Sequence, residues 1–285
     1  MRDSSPMTTF SASDIEGLSP AMKVGLLATV NDEGQPHVTL LSSLRAASPT
    51  QLSFGQFTEG LSKEFIRRNP RAGFLVMSLQ KQLWRGTGTF THTAKGGPEY
   101  DAYNNEPLFR YNSYFGIHTV YFLDLCEHEG RTDLPMGGIV SASLMTAAAR
   151  VLGRGPKREG PAISTWTRGL LSAMGNLKFA SFVAADGYPR IIPILQAQAA
   201  SPDRVIFSPS VYGRDIDEIP AGAALAIFGM TLKMEDVLLR GRYAGIQRCG
   251  GIRCGVAEIG WVYNSMPPVP GQIYPRPELE TVKDF

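Results

Sequence analysis

The sequence predicts a mainly β protein: two β-barrel domains with flanking helices in one chain, related by internal duplication. Three observations predict it. Val24–Leu44 reads as two strands joined by a tight turn, with an apolar run ending at Val30, a turn cluster at Asn31-Asp32-Glu33-Gly34, and a second apolar run after Pro36. The pattern returns in Phe179–Ile194, where Gly187 and Pro189 follow Gly34 and Pro36 at one offset, 187 − 34 = 189 − 36 = 153. Further landmarks keep the same 153-residue step: Leu171-Ser172 answers Leu18-Ser19, Ala200-Ser201-Pro202 answers Ala47-Ser48-Pro49, and Val205-Ile206-Phe207 answers Leu52-Ser53-Phe54.

The elements follow in order. Ser11–Met22 reads as a short helix capped by Ser13 or Asp14, with Glu16 in its first turn. After the opening hairpin, whose second strand is Val38–Leu44, Arg45–Thr50 reads as a turn and Gln51–Phe54 as a third strand. Leu61–Arg68 is helical in pattern and ends at Asn69-Pro70, where proline forbids continuation. Ala72–Leu79, Leu83–Thr91 and Gly116–Cys126 supply strands four to six, and six strands with a helix make a small barrel. The glycine pair Gly86 and Gly88 lies inside a strand, where it lets a barrel bend. Thr93–Ser113 is a polar, aromatic excursion. Gly138–Leu152 is an Ala-rich helix, Gly153–Pro161 a linker, and Ile163–Met174 the helix that matches the first. Arg240-Gly241 answers Arg85-Gly86 at 240 − 85 = 155, which implies two residues gained, and Gly255–Tyr263 answers Gly116–Cys126. The expected domains are 11–130, a helix and basic linker at 131–162, a second barrel at 163–265, and a Pro-rich tail at 266–285 laid across the surface.

Composition bounds the function classes. With 285 residues, 43% hydrophobic and 19% charged, the chain is long enough for two modest domains. A net charge of +2 gives no argument for nucleic acid or a membrane surface. The N-terminus lacks the apolar core of a signal peptide and no segment approaches ~18 apolar residues, so a cytoplasmic location is expected. Three cysteines fit a reducing compartment. Gly-x-Ser-x-Gly, Walker and His-Glu-x-x-His motifs are absent, which sets aside acyl and phosphoryl transfer.

One run of motifs carries a family resemblance. It comprises the Glu33-Gly34-Gln35-Pro36 turn, a strand ending in Leu41-Ser42-Ser43, an aromatic third strand, and Ser62-Lys63 opening a helix that runs into Asn69-Pro70 and an apolar strand to Val76. Together these resemble the FMN-binding split barrel of the pyridoxamine 5'-phosphate oxidase-like proteins, here in tandem form. The resemblance implies FMN as cofactor and an oxidoreductase passing two electrons to a small organic acceptor or oxygen. A nicotinamide or deazaflavin would be the reductant. It also implies a flavin groove between two barrels, so that this chain could build an internal pseudo-dimer, with further homodimerisation left open. The alternative is a non-catalytic barrel that binds flavin or haem. Pyridoxamine phosphate itself is the less expected substrate, because the family's substrate-phosphate arginines do not map onto this chain.

The resemblance singles out cofactor-binding candidates in the first copy. Ser62 and Lys63 begin a helix, where unpaired N–H groups and the dipole favour a phosphate. Thr39, Ser42 and Ser43 add hydroxyls, and Gly55-Gln56 lets the backbone approach a ligand. Thr39 or a neighbour stands where the family often carries an arginine. Gln82 and Arg85 match positions near the ribityl chain or ring, where a donor or cation offsets charge on a reduced flavin; Arg85 as a solvent-facing strand residue is the competing reading. In the second copy Tyr212-Gly213-Arg214-Asp215 and Glu235-Asp236 replace these groups, so that site is expected to be degenerate. No metal site is expected: Cys249 and Cys254 lack a second pair, Asp124, Cys126 and His128 read as a polar turn edge, and His37 and His118 read as barrel histidines, His118 being a haem-ligand candidate under the alternative. In the excursion, Tyr100, Tyr103, Arg110, Tyr111, Tyr114 and Phe115 could lid the groove or simply pack.

Overall fold

In the computed structural model, residues 6–56, 60–106, 116–153, 162–264 and 271–275 are described. Two eight-stranded antiparallel sheets dominate. The first contains β1 (Lys23–Val30), β2 (Pro36–Leu40), β3 (Arg45–Ser48), β4 (Gln51–Gln56), β5 (Arg71–Ser78), β6 (Gln82–Ala94) and β7 (Thr119–His128). Its order is β2-β1-β5-β6-β7-β4-β3, with β8 (Thr132–Asp133) on β6. The second contains β9 (Leu177–Val183), β10 (Pro189–Pro193), β11 (Gln198–Ser201), β12 (Arg204–Phe207), β13 (Ala224–Met230), β14 (Asp236–Cys249) and β15 (Ile252–Asn264). Its order is β10-β9-β13-β14-β15-β12-β11, the same path, with β16 (Gly271–Tyr274) on β15. The fold class is therefore the expected one, mainly β and internally duplicated, with two split-barrel domains.

The pairing registers fix the duplication residue by residue. Arg45↔Ser53 in β3/β4 becomes Gln198↔Ile206 in β11/β12, both residues displaced by 153. Thr89↔Asp124 in β6/β7 becomes Arg242↔Glu258 in β14/β15, where 242 − 89 = 153 but 258 − 124 = 134. The difference, 153 − 134 = 19 residues, is chain present between β6 and β7 and missing between β14 and β15. The register also corrects one expectation. A β-bulge lies between Thr87 and Gly88 in the first sheet and between Arg240 and Gly241 in the second, so Gly241 answers Gly88 at 153 and no residues were gained. Arg240 thus stands for Thr87 rather than Arg85. The repeated Arg-Gly dipeptide misled, because the bulge rather than the dipeptide marks equivalence.

Local chemistry explains most boundaries. The first hairpin closes because Asn31 Oδ1 accepts the Glu33 and Gln35 amides at 3.1 and 2.8 Å while Gly34 takes φ +73°. Helix α1 (Ala12–Leu18) is capped by Ser11, not by Ser13 or Asp14; Asp14 instead completes a capping box and accepts the Trp84 indole N–H at 2.9 Å. Burial alone would raise the Asp14 carboxyl, but the bonds from Ser11 and Trp84 outweigh it and hold the pKa below the usual value. Helix α2 (Leu61–Arg68) has the expected bounds. Arg45–Ser48, expected as a turn, is strand β3, and the reversal falls at Pro49-Thr50. The excursion contains helix α3 (Pro98–Asn105); the connector is helix α4 (Met136–Leu152); α5 (Thr165–Ser172), capped by Ser164, and α6 (Gly213–Asp217) follow. Of the expected surface tail, Gly271–Tyr274 pairs with β15. The linker beyond Gly153, and Arg110, Tyr111, Tyr114 and Phe115, lie outside the described residues. The first core gathers Phe10, Leu18, Leu27, Phe54, Ile66, Phe74, Trp84 and Tyr121, among others. Cα packing separates two compact units, Met1–Leu134 with Ser181–Ile191 and Pro135–Ala180 with Ile192–Phe285. Among the described residues no helix is long and apolar enough to cross a membrane.

The two copies tie off one helix end with lysines from different positions. The Leu18 carbonyl, at the end of α1, accepts Lys23 Nζ at 2.6 Å. Its counterpart, the Leu171 carbonyl, accepts Lys178 Nζ at 3.3 Å, and the same ammonium donates to Ala173 O at 3.0 Å and Ala197 O at 3.3 Å. Position 178 answers Gly25, where an added Cβ would lie 2.3 Å from the Leu41 carbonyl, so the first copy cannot place a lysine there. Burial pushes the Lys178 ammonium down to about 8 from 10.5. The unfolded chain then holds more protons than the folded one between those values, so stability rises with pH across pH 8 to 10.5 and is flat below. Relative to Lys178→Met, the wild type should gain roughly 2 kcal/mol between pH 7.5 and 9.5 at about 1.36 kcal/mol per unit, read from urea midpoints. Parallel pH profiles for the two proteins would contradict this.

Candidate functional site

The predicted site residues fall into two groups. Ser43, Gln56, Ser62 and Lys63 belong to the end of the first sheet where β4 leads into α2. The Ser43 hydroxyl ties its turn to β4, accepting the Gly55 amide at 3.1 Å and donating to the Gly55 carbonyl at 3.2 Å. Ser42 is half-buried beside it, and Thr39, half-buried on β2, pairs with Leu27. Gln56 ends β4 buried, its Oε1 accepting the Tyr121 hydroxyl at 3.0 Å, while Arg67 of α2 donates to that hydroxyl. Tyr121 stacks on Phe54 at 4.9 Å between ring centroids. The chain Arg67–Tyr121–Gln56 thus fixes α2 against β4 and β7.

At the start of α2, Ser62 and Lys63 are only 1% and 7% exposed. Gly60 is the N-cap and supplies no side-chain hydrogen bond, whereas α1 and α5 are capped by serine. At the constant offset of 153, Ser62 answers Asp215 and Lys63 answers Ile216, which is fully buried. The first copy therefore places a lysine at a position that the second fills with an ordinary core residue.

Gln82 and Arg85 form the other group. Gln82 opens β6 opposite Asp133, and Arg85 sits opposite Leu75 with its Nε 2.7 Å from Glu129 Oε2. Gln56 pairs with Thr119 and Gly86 with His128, so the two groups lie at opposite ends of β7, nine residues and roughly 30 Å apart along the strand. Glu129 could not be foreseen from the sequence, being 44 residues from Arg85. In the second copy, register assigns Glu235 to Gln82 and Asp236 to Leu83, with Asp236 buried.

Sequence reasoning missed a second network, on the inserted helix α3. Tyr103, fully buried, donates to the Ser43 carbonyl at 2.8 Å, and the Ser53 hydroxyl lies 2.9 Å from its oxygen. The Arg45 guanidinium sits 3.9 Å from the centre of the Tyr103 ring and bonds Glu99 at 2.9 Å and Glu106 at 3.6 Å. Burial, the larger effect, drives the Tyr103 phenol well above its ordinary pKa, while Arg45 pulls it back. Tyr103 thus packs; the aromatic spacing marked the segment but not Arg45 as its anchor. Elsewhere Asp124 accepts from Gln51 at 2.8 Å, Cys126 lies 3.3 Å from Thr89 Oγ1, His118 Nδ1 lies 2.8 Å from Thr119 Oγ1, and His128 Nε2 bonds Thr9 O at 2.8 Å. Each is engaged separately, and among the described residues no three metal-binding side chains cluster. Burial raises the Cys254 thiol to about 12, with Cys249 adding to the shift.

No family model matches the chain, and no curated protein does. Among solved structures it is similar to an FMN-binding protein from Syntrophomonas wolfei, at 12% identity over 43% of this chain and 83% of that one, TM-score 0.35. It is similar to HupZ from Group A Streptococcus, at 15% identity over 44% of this chain and 98% of that one, TM-score 0.34. It is also similar to an F420 reductase, at 17% identity over 40% and 94%, TM-score 0.32. At these values the likeness carries no assignment of chemistry.

Tyr103→Phe removes the donor to the Ser43 carbonyl inside the core and should lower stability by about 1–3 kcal/mol in urea titration. Asp124→Ala, on an exposed strand position, should change it by under about 0.5 kcal/mol.

Proposed function

We propose that the first copy binds FMN and that the chain is an FMN-dependent oxidoreductase acting on a small molecule, with a nicotinamide or deazaflavin as electron donor. The observation that carries this is Lys63, buried in the first turn of α2 at a position answered by Ile216. A cation at a helix start opposes the dipole, and burying it there adds a desolvation cost. A dianionic phosphate reverses both signs and would add an acceptor at the start of the helix, where the Lys63 amide donates to the Gly60 carbonyl at 3.0 Å and no side chain caps.

On this reading the remaining residues take the following roles. Ser62 and Lys63 would hold the phosphate. Gln56, whose carbonyl oxygen is engaged by Tyr121, would offer its amide N–H groups to the polar chain or ring. A bound flavin supplies the two-electron transfer. Ser43 keeps the turn closed on Gly55 rather than reaching a ligand. Arg85, neutralised by Glu129 and at the far end of β7, is left outside this group.

Titration of the purified protein with FMN, followed by flavin fluorescence and the visible absorption bands, should give saturable binding. Lys63→Ala should weaken it at least tenfold, about 1.4 kcal/mol or more, while Arg85→Ala should leave it within about twofold. Failure to bind FMN would remove the assignment. Binding without turnover on any nicotinamide or deazaflavin donor would leave a flavin binder rather than an enzyme.

A further inference from the structure

Two of the three cysteines of the chain meet at the tip of the β14–β15 hairpin. The ladder closes at Cys249↔Ile252 over a Gly250-Gly251 turn with φ +56° and +85°, and two steps back Gln247 pairs with Cys254. Side chains alternate between faces along a strand, so Cys249 and Cys254 lie diagonally across one face. Their thiols are hydrogen-bonded to each other. That bond favours the protonated form of Cys254, which makes Cys254 the donor and the Cys249 sulfur the acceptor. Cys254 is fully buried with Ala149, Ile206 and Val256, whereas Cys249 is half-buried at the edge of the same cluster. The tip is held against the end of α4, where a Cβ on Gly250 would stand 2.3 Å from Leu152 Cβ. Packing does not ask for the buried thiol: in the first copy the matching pair is Ala94↔Val120, and Val120 is as fully buried as Cys254.

We propose that Cys249 and Cys254 form a redox-active dithiol, a modification site at which hydrogen peroxide converts the two thiols into a reversible disulfide. The site lies in the second copy and is independent of flavin binding in the first. The Cys249 sulfur, partly accessible, attacks one peroxide oxygen as the O–O bond breaks, giving a sulfenic acid and, with the thiol proton, one water. The Cys254 sulfur then attacks Cys249. An S–S bond forms as the S–O bond breaks, and the Cys254 proton leaves with the hydroxide as the second water. Each sulfur is oxidised by one electron, and peroxide takes both. Access and protonation set this order: Cys254 is shielded from the oxidant, and burial pushes its thiol up to about 12. Diagonal Cα atoms stand roughly 7 Å apart, at the limit that a disulfide spans. The bridge therefore draws the strands together and stores strain, and a monothiol such as glutathione reopens it.

The test is mass spectrometry of the folded full chain, first reduced and then exposed to a small excess of hydrogen peroxide. The expected product is lighter by two hydrogens, about 2 Da, and dithiothreitol restores the starting mass. Trypsin cuts after Arg248 and Arg253, so the bridge shows as residues 249–253 joined to the peptide that begins at Cys254. Cys254→Ala should leave Cys249 as a sulfenic acid that dimedone traps, and Cys249→Ala should slow oxidation at position 254 by about tenfold or more relative to wild-type Cys249. The wild-type masses decide the matter if the buried Cys254→Ala fails to fold. Stepwise gain of oxygen at Cys249 with no linked peptide would overturn the proposal, as would a bridge to Cys126 or one that forms only in urea. A bridge that glutathione does not reopen would also overturn it, leaving a structural disulfide.

Discussion

The rest of the structure depends on how closely β6 can approach β7. A Cβ on Gly88 would stand 3.0 Å from the Asp124 carbonyl, and one on its counterpart Gly241 would stand 1.8 Å from the Glu258 carbonyl. Only a residue without a side chain lets the long strand bend and cross its neighbour there, and the bulges at Thr87/Gly88 and Arg240/Gly241 absorb the bend. β6 pairs with β7 on both sides of the bulge and with β8 at Gln82 and Leu83, and β7 in turn carries β4 and β3. Each sheet's second half hangs on that crossing, which is why both copies keep it when so little else in their sequences agrees.

Where the copies diverge, the divergence separates scaffold from site. Ser43 ties its turn to Gly55 through a hydroxyl; its counterpart Gln196 ties the same turn through Nε2 to the carbonyl of Ser208, which answers Gly55, at 2.7 Å. Different groups perform one task, so the task is structural. Lys63 against Ile216 is the reverse case, since burial is kept and the chemistry is changed. The two halves differ in chemistry at this buried position.

Much of this fold was readable, for identifiable reasons. Asn31-Asp-Glu-Gly34 dictates a turn through local hydrogen bonds and one positive φ, and Leu61–Arg68 is bracketed by Gly60 and Pro70, so both were placed correctly. β3 was not, because Arg45-Ala-Ala-Ser is short and shows no alternation; it is a strand only because β4 pairs with it. The Arg85 environment was unreadable in principle. Its partner Glu129 arrives from across β7, and a charge is cancelled or left open by tertiary neighbours that no local pattern encodes. The same holds for Tyr103, whose aromatic segment was visible but whose engagement of Ser43 and Arg45 was not.

The 19-residue insertion between β6 and β7 is what turns a symmetric duplication into an asymmetric one. It delivers α3 to β3 and β4 of the first sheet through Tyr103, Glu99 and Glu106, all converging on Arg45. Arg45 precedes by eleven residues the Gln56 that Tyr121 holds, and Ser43, which Tyr103 grips by its carbonyl, holds Gly55 next to Gln56. The inserted helix therefore braces, from one side, the strand that Arg67 and Tyr121 brace from the other. In the second copy there is no such insertion, α6 is five residues long and opens from the left-handed Tyr212, and no lysine is buried in its first turn. The paired braces on β4 and the buried lysine at the head of α2 occur together in the first copy, while the second has neither the inserted helix nor a lysine at the start of α6.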